Sequence, residues 1–231
     1  MNSLNQKLKI ATILPYKENY TYSNAQAAAI WVCDFFKYSK YNKDNFIFGN
    51  TQGKNYLTKN YINVPIQFKK SKFVSTTREY CQNFIKKIKN NNFEIIEIHN
   101  RPQILNILKK EIKKKFILYF HNDPLSMKGS KTSSERLNLL NSADKIIFVS
   151  QWTQKRFFND LDKKLIDKTE VVYPSIHKSK KIHGKNLGSE GLSSKTCKRF
   201  PHANTDSQFG KVFPPFRRWT SSFDFCPKHP K

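Results

Sequence analysis

The sequence is poor in the residues that support several common functions. Only 7 of its 231 residues are glycine, and no GxGxxG or GxxxxGK[ST] follows a strand-like run, which argues against dinucleotide-binding and P-loop sites. Four widely separated cysteines form no CxxC pair and predict structural thiols in a reducing cytoplasm. No run approaches the roughly 18 to 20 apolar residues of a membrane span, and no signal peptide follows Met1. We therefore expect a cytoplasmic protein.

Acidic residues are also scarce. The chain has 17 Asp plus Glu against 42 Lys plus Arg, a formal net charge of +25. A dense basic surface suits a polyanion partner, either nucleic acid or an anionic membrane face. The alternative explanation of the basic composition is that an AT-rich genome encodes many lysine, asparagine and isoleucine residues. The lysines follow helical faces and form no single block, which favours this alternative. Nucleic acid is not an expected partner, and peripheral contact with the inner membrane face stays open.

Strand-like and helix-like runs alternate along most of the chain. The strands are predicted at Leu8–Leu14, Asn45–Gly49, Tyr61–Ile66, Glu94–Ile98, Lys115–Phe120, Lys145–Val149 and Thr169–Tyr173. The helices are predicted from Ser23 or Asn24 to Tyr38, and at Thr76–Asn90, Pro102–Lys114, Ser133–Asn141 and Gln151–Leu161. This alternation is typical of right-handed βαβ crossovers. It predicts an α/β fold, a Rossmann-like parallel sheet with helices on both faces.

Three helix starts carry specific predictions. Ser23 or Asn24 can cap the first helix and Ser150 the last, because a side-chain oxygen satisfies a free amide of the first turn. The segment Met127–Glu135 has two interpretations. It can bind a phosphate through backbone amides at a helix start, or it can be a flexible loop before a helix in which Glu135 forms a capping box. We favour the second interpretation. Spacings of three and four residues predict that the first helix buries the side chains of Ala27, Ile30, Trp31, Asp34, Phe35 and Tyr38.

The alternation ends near Lys178. Residues 179–231 contain five of the ten prolines and four of the seven glycines, with no period of two or of 3.6. We predict a Rossmann-like domain at residues 1–178 and an irregular or disordered tail at 179–231. The tail contains two cysteines and two histidines, residue types that can bind zinc, at Cys197, His202, Cys226 and His229. Their spacing matches no strong zinc pattern, so we predict no metal site.

Two predicted strands lead into similar polar segments. One is followed by His99, Asn100 and Arg101, and the next by His121, Asn122 and Asp123. The carboxyl ends of parallel strands meet at one edge of a sheet, where open α/β folds bind ligands. An imidazole can bind a hydroxyl or phosphate and transfer protons, an arginine offers a planar fork to an anion, and an aspartate can accept from a hydroxyl or act as a base. A lone histidine here is more often structural, but two at one edge favour a functional role.

Four segments together resemble a known family. They are KIATILPY at the first strand, EIIEIHNRP, KFILYFHNDP and SADKIIFVSQWTQKRF. They resemble the N-terminal, acceptor-side domain of family four, GT-B fold glycosyltransferases, especially bacterial members that assemble lipopolysaccharide or other surface glycans. The resemblance covers roughly residues 9–178 and is most specific at 94–158.

The resemblance implies a function and a set of site residues. A GT-B enzyme transfers a sugar from a nucleotide-sugar to an acceptor across a cleft between two Rossmann-like domains. The nucleotide-sugar is a co-substrate, with no further cofactor and no metal held by an acidic triad. The implied acceptor is a glycan or glycolipid. His99 and His121 match the family's cleft histidines and are the catalytic candidates. The substrate-binding candidates are Asn100, Arg101, Asn122, Asp123, Ser150 and Arg156.

The sequence departs from the family in two places. The frequent glycine pair after the first strand is replaced by Tyr22-Ser23-Asn24-Ala25. Residues 179–231 contain neither the basic Arg and Lys pair nor the E-x7-E helix of a donor-binding domain. We therefore expect a truncated or frame-shifted copy that supplies the acceptor side and is weakly active or inactive alone. The alternative function is a non-catalytic basic module that binds an anionic glycolipid or nucleic acid.

Overall fold

Short apolar and β-branched runs form seven strands in the computed structural model, which describes residues 8–66 and 75–174. The strands are β1 Ile10–Ile13, β2 Asn45–Gly49, β3 Tyr61–Asn63, β4 Ile95–His99, β5 Lys115–Phe120, β6 Lys145–Phe148 and β7 Thr169–Val171. The helices are α1 Ala27–Tyr38, α2 Thr76–Ile88, α3 Pro102–Glu111, α4 Ser133–Ser142 and α5 Gln151–Phe157. Two short 3₁₀ helices span Pro124–Ser126 and Lys163–Lys168.

All seven strands are parallel and belong to one sheet, in the order β3-β2-β1-β4-β5-β6-β7. The chain moves outward from β1 to β3 and then returns to place β4 on the other side of β1. Such a reversal leaves a crevice beyond the carboxyl ends of β1 and β4, where ligands bind in open α/β sheets. The predicted Rossmann-like fold is confirmed.

The two faces of the sheet are covered differently. On one face α2, α3 and α4 pack over an extensive apolar cluster that includes Phe48, Phe84 and Phe116, all fully buried. On the other face α1 packs over a smaller cluster that includes Leu14, Tyr20 and Ile47. Helices therefore lie on both faces. No helix of the described residues combines the length and hydropathy needed to cross a bilayer.

Helix α1 differs from its prediction in both its start and its buried face. It begins at Ala27, and its N-cap residue, Gln26, makes no side-chain capping bond. Asn24 instead belongs to a turn in which its amide bonds to the Thr21 carbonyl. The buried residues are Ala28, Ala29, Val32 and Cys33. Small side chains on this face let the helix backbone approach the sheet. Trp31 is partly buried beside this face, whereas Phe35 and Tyr38 are exposed.

The other predicted elements are present, mostly with shorter bounds. β1, β3 and β7 keep only the central or first residues of their predicted runs, and α5 ends at Phe157 before Leu161. β4 extends one residue further than predicted and includes His99. Ser150 caps α5 as predicted, and Glu135 forms a capping box with Thr132. The predicted boundary at 178 and the tail at 179–231 lie outside the described residues, as do the tail cysteines and histidines.

Candidate functional site

Two histidine rings meet at the carboxyl edge of the sheet. His99 is the last residue of β4 and pairs in register with Tyr119 of β5, so His121 lies two positions further along, just after the end of β5. His99 Nδ1 lies 2.8 Å from His121 Nε2, a hydrogen bond. His99 is 1% exposed, whereas His121 is only partly buried. The sheet therefore unites the two histidines that the sequence predicted at one edge.

Asn100 holds the two strand ends together. Its backbone has φ of 51°, the left-handed region that asparagine tolerates better than most residues. Its amide donates to the Tyr119 carbonyl at 2.9 Å, and its Oδ1 accepts from the His121 amide at 2.7 Å. These bonds fix the backbone on which His121 sits. Asn100 thus positions the histidine pair through its own backbone and side chain.

Aromatic rings enclose the pair and change its proton affinity. Tyr119 stacks on His99 with centroids 4.4 Å apart, and the Trp31 ring lies 4.9 Å from His121, edge-on. Burial, together with the neighbouring His121, lowers the pKa of His99 well below 6.5. Burial also lowers the pKa of His121 to about 4. Both rings are therefore neutral near pH 7.

One nitrogen of the pair is available to a ligand. Each neutral ring carries one N–H, so one histidine donates and the other accepts in the bond between them. His99 Nε2 is buried with no hydrogen-bond partner among the described residues. His121 Nδ1 makes no hydrogen bond within the described part of the chain, and its ring is partly exposed. A hydroxyl that enters the crevice can reach the pair at His121 Nδ1.

A buried polar network supports the ring that stacks on His99. The Tyr119 hydroxyl donates to Glu97 Oε1 at 3.2 Å, and Thr12 Oγ1 lies 2.6 Å from Glu97 Oε2 and 2.9 Å from Asn45 Oδ1. The pKa of Glu97 is raised, because the effect of burial is larger than the opposing effect of its hydrogen bonds to Thr12 and Tyr119. This network was not predicted from the sequence. The available signal was Thr12 and Glu97, two polar residues inside otherwise apolar strand runs.

Two further charged side chains lie at the crevice between β1 and β4. The Arg101 guanidinium is 5.4 Å from the Tyr16 ring centroid. The pKa of Glu18 is raised, because burial has a larger effect than the Ala29 amide in the first turn of α1 and the Arg101 charge, which both lower it. Glu18 Oε2 and Arg101 Nε are buried atoms that lack a hydrogen-bond partner in the part of the chain that the structure describes. Glu18 is therefore an additional candidate that sequence reasoning passed over.

Asp123 and Arg156 form a second group of predicted residues. Arg156 donates to Asp123 through Nη2 at 2.9 Å and Nε at 3.3 Å. The bonds from Arg156, and then the Leu125 amide, lower the pKa of Asp123. This carboxylate stays ionised and engaged, which suits hydroxyl binding better than action as a base. Ser150 accepts from the Thr153 amide at 3.1 Å as a helix cap, and Asn122 is exposed.

The segment before α4 is held by its own hydrogen bonds. The Thr132 and Glu135 side chains exchange 3.1 Å bonds with each other's backbone amides. Arg136 is 1% exposed and donates to the carbonyls of Lys131 at 2.7 Å and Asn159 at 2.5 Å. These bonds confirm the capping interpretation of the segment. Nothing in the sequence pattern marks Arg136 as buried.

The side chains of the described residues that could bind a metal ion do not cluster into a metal site. Within residues 8–66 and 75–174, no group of three or more His, Cys, Asp or Glu side chains could hold a metal ion. Cys33 and Cys81, the cysteines within these ranges, are both buried and free. The site therefore consists of hydrogen-bonding and aromatic groups.

Comparison with known proteins finds similar folds. No family model and no curated protein matches the sequence. Sucrose-phosphate synthase from Thermosynechococcus elongatus matches with 11% identity over 72% of this chain and 48% of that chain, with a TM-score of 0.50. The lipopolysaccharide outer core galactosyltransferase WaaB, in its apo form, matches with 15% identity over 72% and 45% of the two chains and a TM-score of 0.49. UDP-N-acetylglucosamine 2-epimerase from Rickettsia bellii matches with 10% identity over 71% and 44% and a TM-score of 0.45.

At such identities the likeness concerns the fold alone. The chain has a Rossmann-like α/β fold that is similar to the fold of the matched part of sucrose-phosphate synthase. It spans about half the length of the solved structures that it matches.

Proposed function

We propose that residues 1–178 form the acceptor-binding half of a glycosyltransferase. The reaction transfers a sugar from a nucleotide-sugar, the co-substrate, to the hydroxyl of a glycan or glycolipid. The observation that carries the proposal is the His99–His121 pair, 2.8 Å between ring nitrogens at the carboxyl edge of the sheet, with one partly exposed ring. The GT-B-like fold is consistent with this function.

The low pKa of His121 defines the role that we assign to the pair. A ring with a pKa of about 4 is unprotonated near pH 7 and is a weak base. It can still accept a hydrogen bond from an acceptor hydroxyl or donate one to its oxygen, depending on the tautomer. The fixed pair thereby orients the attacking oxygen, and orientation of two bound reactants is a large contribution to catalysis. Both histidines act by alignment in this proposal.

Arg101 provides a site for negative charge beside the histidines. Its Nε atom lacks a partner among the described residues, and Glu18 close by is incompletely hydrogen-bonded. Arg101 as a whole is partly exposed, so its guanidinium can bind an anionic part of a substrate although Nε is buried. Stabilising the departing diphosphate needs groups from a donor-binding half as well. We therefore expect residues 1–231 alone to show weak transfer or none.

The finer assignment rests on the sequence resemblance. The four segments that carry it favour a family four, GT-B fold enzyme of bacterial surface-glycan or lipopolysaccharide assembly. In this proposal the protein works in the cytoplasm, where nucleotide-sugars are made, with peripheral contact at the inner membrane face.

The experiment measures transfer and acceptor binding separately. The chain is joined to a donor-binding domain, and transfer from a panel of nucleotide-sugars to core oligosaccharides is followed by mass spectrometry. His99→Ala and His121→Ala should each lower kcat by about a hundredfold, the scale expected when a reacting group is misplaced, with little change in oligosaccharide binding. Gln82→Ala is the control, because Gln82 is an exposed residue of α2 and is not part of the candidate site. Unchanged kcat in both histidine variants would contradict the proposal.

A second candidate function is a basic module that binds an anionic glycolipid or nucleic acid without chemistry. The net charge of +25 favours it. It predicts salt-sensitive binding and no transfer with any nucleotide-sugar, even with a donor-binding domain present. The same assay therefore separates the two functions.

A further inference from the structure

An exposed indole stands at the same edge of the sheet as the histidine pair. Trp152 is 57% exposed and occupies the first turn of α5, which begins directly after β6. Arg156, one turn later, places its guanidinium carbon 5.8 Å from the Trp152 ring centroid. Contact between a large apolar ring and water is unfavourable, so a ligand that covers the ring gains binding free energy. Trp152 is thus the exposed aromatic surface nearest in sequence to the candidate residues Ser150 and Arg156.

The two charged side chains beside this indole, Arg156 and Asp123, have no net charge together. Arg156 and Asp123 form a two-bond ion pair, 2.9 Å at its shorter contact, and the Leu125 amide anchors the carboxylate at 3.0 Å. Their side chains are 40% and 26% exposed, so both remain accessible. Arg156 Nη1 makes no hydrogen bond within the described residues. The group therefore presents donors, acceptor lone pairs and a flat apolar surface with little net charge.

We infer that Trp152, Arg156 and Asp123 form a subsite for an uncharged pyranose ring of the acceptor. A pyranose has an apolar C–H face, which packs on an indole, and hydroxyls around its rim, which pair with the planar guanidinium and carboxylate. A phosphate or uronate would need a net positive charge, and Asp123 already compensates that of Arg156. The inference rests on the proposed function and narrows its substrate class to an acceptor that ends in a neutral hexose.

The test uses the full chain and simple sugars. Methyl β-D-galactopyranoside and methyl β-D-glucopyranoside are titrated into ¹⁵N-labelled protein, with methyl β-D-glucuronide and inorganic phosphate as charged comparators. The Trp152 indole N–H signal, assigned by its loss in Trp152→Phe, should shift with the neutral sugars. Trp152→Ala should weaken their binding by about tenfold, as stacking on one ring is expected to contribute. Arg156→Gln, which leaves the indole in place, should also weaken binding.

A matched control is Tyr38→Ala. Tyr38 is another exposed aromatic, 64% exposed, at the C-terminus of α1 and so at the opposite edge of the sheet. It should leave sugar binding unchanged. Circular dichroism and urea unfolding of each variant confirm that the fold is retained.

The outcomes separate this inference from the proposed function. If neutral sugars shift His121 signals but leave Trp152 unmoved, or bind equally to Trp152→Ala, the subsite is wrong and the acceptor-binding function stands. Tighter binding of glucuronide or phosphate at Trp152 overturns the neutral-sugar inference. If no sugar binds while the form with a donor-binding domain transfers sugar, only the inference fails. If neither binding nor transfer occurs, both fail.

Discussion

At the scale of single residues, the histidine pair shows how a sheet can change the chemistry of a side chain. His99 and His121 are ordinary imidazoles in the sequence, and their polar neighbours suggest proton transfer near neutral pH. Burial by Tyr119 and Trp31 lowers both pKa values. The pair is therefore better suited to hydrogen bonding than to taking up a proton.

The His121 ring should make stability depend on pH. Its pKa is 6.5 when unfolded and about 4 when folded, so between these values the unfolded chain binds more protons and stability falls as the pH falls. From pH 7.5 to pH 5 this one group should cost about 2 kcal/mol. Urea unfolding at the two pH values measures the loss.

His121→Asn is the comparison for that experiment. It removes the titrating ring, so its loss of stability between pH 7.5 and 5 should be smaller by about 2 kcal/mol than that of the unmodified chain. His99 contributes in the same direction in both proteins, because burial, which is the larger cause of its lowered pKa, does not require the His121 charge. An equal pH dependence in the two proteins would show that the pKa of His121 is not lowered in the folded protein.

At the scale of secondary-structure elements, the type and order of the elements were predicted better than their exact bounds or the buried face of α1. Alternating apolar runs were enough to locate the seven strands and five α-helices of the described residues, because backbone hydrogen bonding and the hydrophobic effect act on local patterns. The two 3₁₀ helices were not predicted. The inner face of α1 was predicted wrongly. Its aromatic side chains have the helical spacing of a core stripe, but the face of Ala28, Ala29, Val32 and Cys33 packs on the sheet. Such a choice depends on the shape of the partner surface.

The loop before α4 depends on a glycine. Gly129 has φ of +94°, and a Cβ there would lie 2.9 Å from Gln103 Cγ and 3.2 Å from the Gln103 backbone nitrogen. Gly129→Ala therefore adds a steric clash with α3 to the cost of left-handed backbone, which is about 1 to 2 kcal/mol by itself. Its urea unfolding midpoint should fall by more than that cost alone requires.

Gly53→Ala is the matched control. Gly53 has a similar φ of +98°, but the nearest atom to its added Cβ would be 3.9 Å away, on Thr21. It should show the backbone cost without the clash. Equal losses in the two variants would contradict the close packing of Gly129 on α3.

At the scale of the whole molecule, charge is distributed unevenly between elements. The last turns of α2 and α3, which pack against each other, carry Lys86, Lys87, Lys109 and Lys110, all exposed. Helices that follow parallel strands run back along the sheet, so these turns lie at the edge opposite the histidine pair. Lysines near a helix C-terminus are also favoured by the helix dipole, which accounts for part of this pattern without any partner.

If this basic edge contacts anionic membranes, its lysines should dominate vesicle binding. The purified chain should co-sediment with phosphatidylserine-containing vesicles at low salt and much less with phosphatidylcholine alone, and binding should fall several-fold near about 0.5 M salt. Replacing Lys86, Lys87, Lys109 and Lys110 by glutamine should remove most of the binding.

A variant with the same change of charge elsewhere provides the comparison. It replaces the exposed lysines Lys17, Lys54, Lys128 and Lys155 by glutamine. It should retain most of the vesicle binding. An equal loss in both variants would mean that only total charge matters, and a larger loss in the comparison variant would place the membrane contact away from α2 and α3.

The sequence by itself determined the fold class, the order of elements and the edge at which the histidines lie. These follow from local periodicity and from the rule that parallel strands end at one edge. Tertiary structure alone decided which groups touch: the bond between His99 and His121, the network around Glu97, the burial of Arg136 and the ion pair of Asp123 with Arg156. Apart from the bond of Arg136 to the Lys131 carbonyl, the residues in these contacts are 20 or more positions apart. Their distances and pKa values therefore depend on tertiary packing, which local patterns do not encode.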